Sequence, residues 1–432
     1  MRFTQLGDWL AWMERQHPRH IDLGLERINA VAQTLNIQLD IPVVTVAGTN
    51  GKGSCIAVMA AVLSEAGYRV GCYTSPHLLH YRERISIGGT SPDDGALCAV
   101  FEQVDQARRG TSLTYFEFGT LAALLLFQQA ELDVVLLEVG LGGRLDAVNI
   151  IDADVSLISS VDLDHQAWLG NDRDTIGREK AGIFRPGKPA VYGDPAPPAS
   201  VLDYGRQLGV PLHRIGAHFG AESHAQGWRW WGRSSAGASL SLDTLPDTGL
   251  AAGNLAAALQ ALYFLNLPFT EQSVRRGLSK VSLAGRCQHL DVGGIDLVLD
   301  VAHNPAAVGL LAANLADRPV PGRTVALFAV MADKAIGDIV SLIADQIDGW
   351  VLPRLADNDR AAAADKVASV VVDAGGRVLA QGDPLGHALR SAVLSLSTGD
   401  RLVVFGSFFT VAEAMTALTE LGLPACQETI QA

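Results

Sequence analysis

A glycine-rich loop between an apolar strand and a helix constrains the fold of this chain more than any other segment. Val43–Ala47 is a β-branched, apolar run typical of a buried strand, and the pattern of Ser54–Gly67 predicts a helix. The loop between them, Gly48–Gly53, contains three glycines and Lys52. A strand that passes through such a turn into a helix is the unit from which parallel sheets are built. The chain is therefore predicted to be an α/β protein.

The same loop has the chemistry of a phosphate site. Glycines let backbone N–H groups approach an anion, the helix N-terminus adds partial positive charge, Lys52 can reach the outer phosphates, and Ser54 can lie near magnesium. The spacing departs from the usual Walker A pattern, because Val46 stands where the first glycine would be and Gly53 separates Lys52 from its hydroxyl residue. The alternative, a tight glycine turn beside a surface lysine, is disfavoured by the flanking strand and helix.

Strands and helices alternate through much of the rest of the chain. Tyr68–Tyr73, Asp133–Val139 and Asp154–Ser159 are predicted to be short buried strands, and Leu113–Gln129 a long helix. The pattern then changes, because Val191–Leu245 consists of short segments rich in Gly, Ser, Trp and Pro. We interpret that stretch as a small antiparallel patch.

Chain length and a second strand–helix series predict two domains. At 432 residues the chain is too long for one ordinary core. The second series begins at Ile295–Val301 and ends with Arg401–Phe405. We place the boundary near Ser282–Gln288. Residues 1–284 are then a P-loop ATPase-like domain with a mostly parallel sheet, and residues 285–432 a smaller, Rossmann-like α/β domain.

Composition excludes several classes of function. A formal net charge of −13 argues against nonspecific binding to nucleic acids or acidic membranes. No segment is long and apolar enough to span a bilayer, and the first residues do not form a secretory signal. The cysteines are scattered and lack any CxxC pair, so neither a disulfide framework nor a zinc site is predicted, and a cytoplasmic location fits best. They are Cys55, Cys72, Cys98, Cys287 and Cys426.

Further motifs accompany the Gly-Lys-Gly-Ser ending of the loop. They are Ile21–Arg27, Thr74–Leu78, Thr114–Glu117, Glu138–Ala147, Asp164–His165, Arg178–Phe184 and Asp300–Pro305. Together these segments resemble the folate branch of the Mur-ligase superfamily, the dihydrofolate and folylpolyglutamate synthases. The likeness runs from about Ile21 to Thr410, and the combination is highly specific although any single motif would be weak.

The resemblance implies an ATP-dependent ligase that forms an amide bond through an acyl phosphate. A carboxylate is unreactive toward an amine at neutral pH, so ATP must first activate it. The implied reactions join L-glutamate to 7,8-dihydropteroate, giving dihydrofolate, and to the γ-carboxylate of tetrahydrofolate and other reduced folates, giving polyglutamates. A monofunctional folylpolyglutamate synthase is the alternative, and the matches at Ile21–Gly24 and Thr114–Glu117 favour the bifunctional enzyme. Family members are mostly monomers, so a monomer is expected.

Two other classes of protein fit the sequence less well. A peptidoglycan-type Mur ligase would carry a nucleotide-sugar domain before the ATP loop, whereas 47 residues precede Gly48 in this sequence. An ATP-binding module without chemistry of its own is disfavoured by the combination of the Lys180 motif with Asp300–Pro305.

The loop chemistry and the resemblance together assign individual residues to the nucleotide. The predicted ATP contacts are Gly48, Thr49, Asn50, Gly51, Lys52, Gly53, Ser54, Asn254, Arg286 and Asp300. The predicted catalytic residues are Lys52, Lys180 and His303, with His303 near the phosphate and the incoming glutamate. Related ligases carry a carbamylated lysine, and by resemblance we expect that modification at Lys180. Closure of the domains is expected to complete the site and exclude water.

The substrate and metal assignments rest mainly on the resemblance. Substrate contacts are expected from Ile21, Asp22, Leu23, Gly24, Thr114, Tyr115, Phe116, Glu117, Leu145, Asp146, Ala147 and Ser407. Without the family, Tyr115 and Phe116 would simply be core aromatics. Ligands for two magnesium sites are expected from Ser54, Thr74, Glu138 and His165, and a potassium site is left open. Glu138 also stands at a strand end, where a Walker B carboxylate would.

Two of the metal assignments have a purely structural alternative, and two other positions depart from the family pattern. Glu138 could be a solvated strand-end carboxylate, and His165 a capping or packing histidine. Asp333–Ala335 lacks an expected second acidic residue, and Cys287 stands where an aromatic residue is frequent. Neither departure removes a reacting group.

Overall fold

The computed structural model describes residues 2–224, 227–356 and 358–423, so Cys426 lies outside the described residues. The described chain divides between Ser282 and Leu283 into two compact units. In the described part of the chain no helix has the length and apolarity needed to cross a membrane.

A seven-stranded sheet forms the centre of the first unit. Its strands are β1 Val43–Ala47, β2 Val70–Tyr73, β3 Ile85–Ile87, β4 Val134–Glu138, β5 Val155–Ile158, β6 Ala190–Tyr192 and β7 Leu212–Arg214. They lie in the order β3-β2-β4-β1-β5-β6-β7, and every neighbouring pair is parallel except β2 with β3. Strands β1 and β4 are buried along their whole length, as expected for a parallel sheet covered on both faces.

Helices cover both faces of this sheet. They are α1 Leu6–Met13, α2 Glu26–Thr34, α3 Lys52–Glu65, α4 Asp94–Ala107, α5 Tyr115–Gln129, α6 Gln166–Leu169, α7 Arg173–Ala181, α8 Ala199–Gln207, α9 Ala252–Phe264 and α10 Glu271–Lys280. Short 3-10 turns occur at Tyr81–Arg84 and Ala147–Ile150. Helix α3 packs in one core with α9 and α10, while α1, α2, α4 and α5 pack in another.

The interpretation of Val191–Leu245 as one antiparallel patch was wrong in its first part. Strands β6 and β7 extend the parallel sheet, and α8 connects them. Among the described residues of that stretch, the antiparallel strands are β8 Gly220–His224, β9 Gly227–Arg233 and β10 Ser239–Leu245. Strands of three residues are too short to show a periodicity, so the glycines and prolines around them dominated the pattern.

A six-stranded sheet forms the second unit. Its strands are β11 Gln288–Val292, β12 Ile295–Asp300, β13 Thr324–Phe328, β14 Gly349–Arg354, β15 Val378–Pro384 and β16 Arg401–Phe405, in the order β11-β12-β16-β13-β14-β15. Only β11 is antiparallel to its neighbour. The helices are α11 Pro305–Asp317, α12 Ile336–Ile343, α13 Ala364–Asp373, α14 Leu385–Ser395 and α15 Phe408–Glu420, with a 3-10 turn at Ala344–Gln346. The predicted α/β class, with a parallel sheet in each unit and a small antiparallel sheet, is confirmed.

Helix α10 approaches the backbone of α3 at Gly277. A methyl group on Gly277 would lie 2.8 Å from both Cα and N of Val62, closer than any side chain could accommodate without moving a helix. Gly309 is also inside a helix, α11, but a methyl group there would have no described neighbour within 4 Å.

This contrast predicts opposite effects of the same substitution. Gly277→Ala should lower the free energy of unfolding by about 1–3 kcal/mol, because the added carbon overpacks a backbone contact. Gly309→Ala should raise it by about 0.5–1 kcal/mol, because alanine loses less entropy in a helix. Urea unfolding followed by circular dichroism would measure both, and equal effects would contradict the close approach.

Candidate functional site

Parallel pairing brings the carboxyl ends of several strands to one edge of the first sheet. Val46 lies opposite Glu138 on β4 and opposite Leu157 on β5, and Tyr73 on β2 lies opposite Leu137. The segments that follow β1, β2, β4 and β5 therefore begin at the same edge, where open α/β sheets bind ligands.

Two glycines give the loop after β1 its shape. Gly51 has a φ of +85°, a left-handed conformation that side chains other than glycine rarely adopt, and it caps α3. A methyl group on Gly51 would lie 2.4 Å from Oδ1 of Asn254, so this predicted nucleotide contact lies against the loop. On Gly48 the methyl would lie 1.9 Å from Oγ of Ser159. Helix α3 begins at Lys52, two residues earlier than predicted.

Hydroxyl groups after β5 hold the loop in place. Ser159 Oγ donates to the Asn50 carbonyl at 2.6 Å, and the Asn50 N–H donates to Ser160 Oγ at 3.0 Å. Thr49 donates its N–H to the Ser160 carbonyl at 2.9 Å and its hydroxyl to the Asp162 carbonyl at 3.1 Å. Sequence analysis missed Ser159 and Ser160. Two adjacent hydroxyl residues at the end of the predicted strand Asp154–Ser159 were the available signal.

Lys52 extends back over this loop. Its Nζ donates to the Gly48 carbonyl at 3.0 Å. A lysine amine beside the backbone of a glycine-rich loop at a helix N-terminus can neutralise the negative charge of a bound phosphate.

The predicted metal ligands offer oxygen atoms at the same edge. Glu138 is only 5% exposed, and its Oε2 accepts the N–H of Ser75 at 3.2 Å. Thr74 directly follows β2, and Ser54 is buried in the first turn of α3. Carboxylate and hydroxyl oxygens fit magnesium. Within the described ranges no three His, Cys, Asp or Glu side chains form a metal cluster, so such a site needs the hydroxyl groups as well.

The backbone conformation of His165 determines where its side chain lies. It has a φ of +51°, its N–H donates to Asp164 Oδ1 at 2.8 Å, and its side chain is 45% exposed. The turn thus presents the imidazole to solvent, unlike a packing histidine. This histidine also caps the short helix α6 without using its side chain.

Lys180 is buried, being only 3% exposed, although α7 is otherwise a polar helix. Burial and, to a smaller degree, the positive charge of Lys52 lower the pKa of Lys180 to about 7, against the opposing effects of Asp164 and Asp146. At neutral pH a large share of this amine is therefore unprotonated. An unprotonated lysine is a nucleophile.

Asp146 titrates near the same pH as Lys180, because burial shifts its pKa in the opposite direction. Burial raises the pKa of Asp146 to about 7, although its oxygens accept the N–H groups of Leu141 at 2.8 Å and Val148 at 3.1 Å. The positive charge of Lys52 favours the ionised form of Asp146 and so opposes this shift. Burial thus moves the pKa values of Asp146 and Lys180 toward each other from opposite ends of the scale.

One guanidinium joins two segments that are predicted to bind the pterin. Arg27 Nη1 donates to Asp22 Oδ2 at 2.8 Å, and Nη2 donates to Glu117 Oε1 at 3.0 Å. Glu117 also accepts the Thr114 N–H at 2.7 Å, completing a capping box at the start of α5. The structure thus places Ile21–Gly24 beside Thr114–Glu117. Arg27 belongs to the first motif but was not among the predicted site residues.

Aromatic rings lie beside these two segments and form, together with them, one wall of the candidate site. Phe116 packs 5.8 Å from the ring of Tyr73, and a methyl group on Gly140 would lie 2.6 Å from the Phe116 ring. The guanidinium of Arg84 lies 5.5 Å from the centre of the Tyr115 ring. Phe116 thereby adjoins the loop after β4, which carries Leu145, Asp146 and Ala147. Apolar walls with a few fixed polar groups suit a flat heterocycle.

The second unit gathers its predicted residues at the ends of β12 and β16, where Asp300 lies opposite Phe405. Asp300 accepts the N–H groups of Cys287 and Ala302, each at 2.7 Å. Burial raises the pKa of the Asp300 carboxyl, and the nearby Arg286 opposes that shift.

Phe408 lies close to the other predicted residues of this unit. The guanidinium of Arg286 is 5.2 Å from the centre of its ring, and the ring of His303 is 6.4 Å away. Nδ1 of His303 is 2.8 Å from the Val301 carbonyl. Ser407 caps α15 by accepting the Thr410 N–H, and it is buried. Its hydroxyl is thus already engaged in the structure.

Known proteins resemble this chain over nearly its whole length. Residues 285–408 match the family described as Mur ligase, glutamate ligase domain. Dihydrofolate synthase/folylpolyglutamate synthase from Escherichia coli is 40% identical over 416 residues, covering 96% of each chain. The protein of the same name from Haemophilus influenzae is 37% identical over 95% of this chain.

Solved structures show the same fold. The E. coli FolC in complex with DHPP and ADP has a TM-score of 0.91 and 39% identity, covering 97% of this chain and 98% of that one. A bifunctional folylpolyglutamate synthase/dihydrofolate synthase with Mn, AMPPNP and L-glutamate bound has a TM-score of 0.89 and 42% identity, over 96% of this chain and 98% of that one.

The burial of Lys180 predicts a specific dependence of stability on pH. Its folded-state pKa of about 7 lies below the ordinary value of 10.5, so between these values the unfolded chain binds a proton that the folded chain does not. Stability therefore rises with pH in this window. Relative to Lys180→Met, the wild type should gain roughly 2 kcal/mol between about pH 7 and pH 9.

Urea titrations in buffers purged of carbon dioxide would measure this difference. Lys188→Met is the control, because the side chain of Lys188 is half exposed and should give no comparable trend. A constant difference between wild type and Lys180→Met across the window would contradict the burial of an uncharged amine.

Proposed function

The chain belongs to the dihydrofolate synthase/folylpolyglutamate synthase family, and we propose that it joins L-glutamate to dihydropteroate and to tetrahydrofolate at the expense of ATP. The observation that carries this proposal is the arrangement at one sheet edge. A phosphate loop, buried carboxylates and an aromatic wall meet there, so a nucleotide and a carboxylate-bearing heterocycle can be bound side by side.

The loop and the N-terminus of α3 bind the ATP phosphates in this proposal. Lys52 neutralises charge on the γ-phosphate while the carboxylate of the pterin substrate attacks the γ-phosphorus. ADP leaves, and the acyl phosphate remains. The amine of glutamate then attacks the acyl carbon, and phosphate departs from the tetrahedral intermediate. Asn254, which lies against Gly51, contacts the nucleotide.

A divalent cation is part of the proposed site. Ser54, Thr74, Glu138 and His165 would hold it. The side-chain oxygens of Ser54, Thr74 and Glu138 suit magnesium, and Glu138 is buried at the strand end, whereas His165 would add a nitrogen ligand, a less usual partner for this ion. Bound there, the cation would supply positive charge to the phosphate oxygens. Two magnesium sites and an added potassium ion belong to the proposal.

The pterin segments form the substrate wall. Ile21–Gly24 and Thr114–Glu117 are joined through Arg27, and Leu145–Ala147 completes the wall from the loop after β4. This link supports the bifunctional enzyme over a monofunctional folylpolyglutamate synthase, because it joins the two segments through which the bifunctional enzyme is proposed to contact dihydropteroate.

The second unit supplies the remaining groups. Arg286 and Asp300 contact the nucleotide, His303 lies near the phosphate and the glutamate, and Ser407 lies in the glutamate pocket. Support comes from their placement at the ends of β12 and β16 and from the match of residues 285–408 to a glutamate ligase domain.

Lys180 is proposed to be carbamylated. Its neutral Nζ attacks carbon dioxide and loses a proton, so a buried amine becomes a carboxylate able to help position a metal ion. In bicarbonate buffer the intact protein should gain the mass of one carbon dioxide under mild conditions, and Lys180→Met should not. An unmodified wild type in such buffer would rule the carbamate out.

The ligase activity is tested with two substrates. The protein is incubated with ATP, magnesium and glutamate, first with 7,8-dihydropteroate and then with tetrahydrofolate, and product mass is followed together with ADP release. Gain of one glutamyl unit by each substrate is expected. Lys52→Ala should lose at least about a hundredfold in turnover with both, because it strips charge from the phosphate site. Lys188→Ala is the matched surface control.

The outcomes separate the alternatives. A gain with tetrahydrofolate alone would leave a monofunctional folylpolyglutamate synthase, and a gain with neither substrate would contradict the proposal. Unchanged turnover of Lys52→Ala would refute the role of the loop.

A further inference from the structure

A thiol, an imidazole and a carboxylate are joined by successive side-chain contacts in the second unit. Cys287 Sγ is 3.7 Å from Nε2 of His289, and His289 Nδ1 is 2.7 Å from Asp296 Oδ1. The other oxygen of Asp296 accepts Nε of the buried Arg401 at 2.8 Å. The ligation mechanism uses none of Cys287, His289 and Asp296.

The carboxylate sets the orientation of the imidazole. Although burial opposes the shift, hydrogen bonds from His289 and Arg401 lower the pKa of Asp296 below its ordinary value, so Asp296 is anionic at neutral pH. An anionic carboxylate accepts the N–H of Nδ1 and leaves Nε2 with a lone pair. That lone pair faces the thiol of Cys287, as in enzymes that activate a cysteine with a histidine.

The thiol needs such a base. Burial raises the pKa of Cys287 to about 11, and the negative charge of Asp300 adds to the effect, whereas Arg318 and Arg401 offset only part of it. The sulfur therefore holds its proton at neutral pH, and only the thiolate is a strong nucleophile. His289 can take this proton during the reaction.

The backbone at Cys287 is strained in a way typical of functional residues. Its φ is +42°, in the left-handed region, and its N–H donates to Asp300 Oδ2 at 2.7 Å. The preceding turn is held by the N–H of Val301, which donates to the Gly285 carbonyl at 2.9 Å. The side chain of Cys287 is intermediate in burial and so is not fully enclosed. Strain of this kind is retained when surrounding structure enforces it.

We propose that Cys287 is a modification site, at which His289 and Asp296 promote attack of the thiol on small disulfides. Nε2 of His289 removes the thiol proton, and the sulfur attacks one sulfur of the disulfide, whose S–S bond breaks. A mixed disulfide forms at Cys287, and the leaving thiolate takes the proton from His289. The Cys287 sulfur is oxidised and the leaving sulfur is reduced, so the disulfide is the oxidant.

The modification stops ligation by blocking nucleotide binding, a consequence that rests on the proposed function. Cys287 follows Arg286 in the chain and holds the carboxylate of Asp300 through its N–H. A bulky group on its sulfur stands beside both nucleotide contacts. The modified protein is then a reversibly inactive ligase, and thiols restore it.

The experiment measures modification directly. Wild type, His289→Gln and His387→Gln are incubated with oxidised glutathione, and the rate at each cysteine is followed by peptide mass mapping. His387 is an exposed histidine of the same unit and serves as the matched control. Cys72, a partly buried thiol whose pKa burial raises to about 12, is the internal reference.

In the wild type Cys287 should react at least about tenfold faster than Cys72. His289→Gln should remove that advantage without changing the rate at Cys72, and His387→Gln should retain it. Equal rates at Cys287 in wild type and His289→Gln, or no modification of Cys287, would overturn the proposal.

A second readout separates this inference from the ligase assignment. Cys287→Ser should keep the ligase activity and resist glutathione disulfide, whereas the wild type should lose activity and recover it with dithiothreitol. Absence of ligase activity in every variant would refute the proposed function and leave the labelling rates to decide the modification site. Modified wild type that still binds ATP with unchanged affinity would refute the block at the nucleotide.

Discussion

Parallel pairing of β1 with β4 and β5 is the constraint on which the site depends. The register places Val46 opposite both Glu138 and Leu157, so the loop after β1, the carboxylate ending β4 and the hydroxyl residues after β5 meet at one edge. Side chains on a strand alternate between its two faces, so a shift by one residue would turn Glu138 away. Complete burial of β1 and β4 opposes such a shift, because every side chain of these strands would move to the opposite packed face, where the space fits a different side chain.

Much of this fold follows from local pattern. The strands at Val43–Ala47 and Arg401–Phe405 lie where the sequence predicts them, because each is a dense apolar run bounded by polar or glycine residues. Strands β6 and β7 were missed because each has three residues, too few to show a periodicity in the local sequence.

The site was predictable where chemistry and spacing coincide, as in Gly48–Ser54. What the sequence could not reveal was burial. Lys180 stands among charged neighbours and would pass for a surface residue, yet it is enclosed and its amine is partly neutral at pH 7. Likewise Ser159 and Arg27 act through contacts with residues more than eighty positions away in the chain, as their hydrogen bonds to Asn50 and Glu117 show.

Glu117 serves two structural purposes at once. The same carboxylate closes the capping box of α5 and accepts a hydrogen bond from Arg27, which also binds Asp22. A substitution at Glu117 would therefore remove a helix cap and take one carboxylate partner from the Arg27 guanidinium. This position is thus constrained by stability, independently of any role in binding.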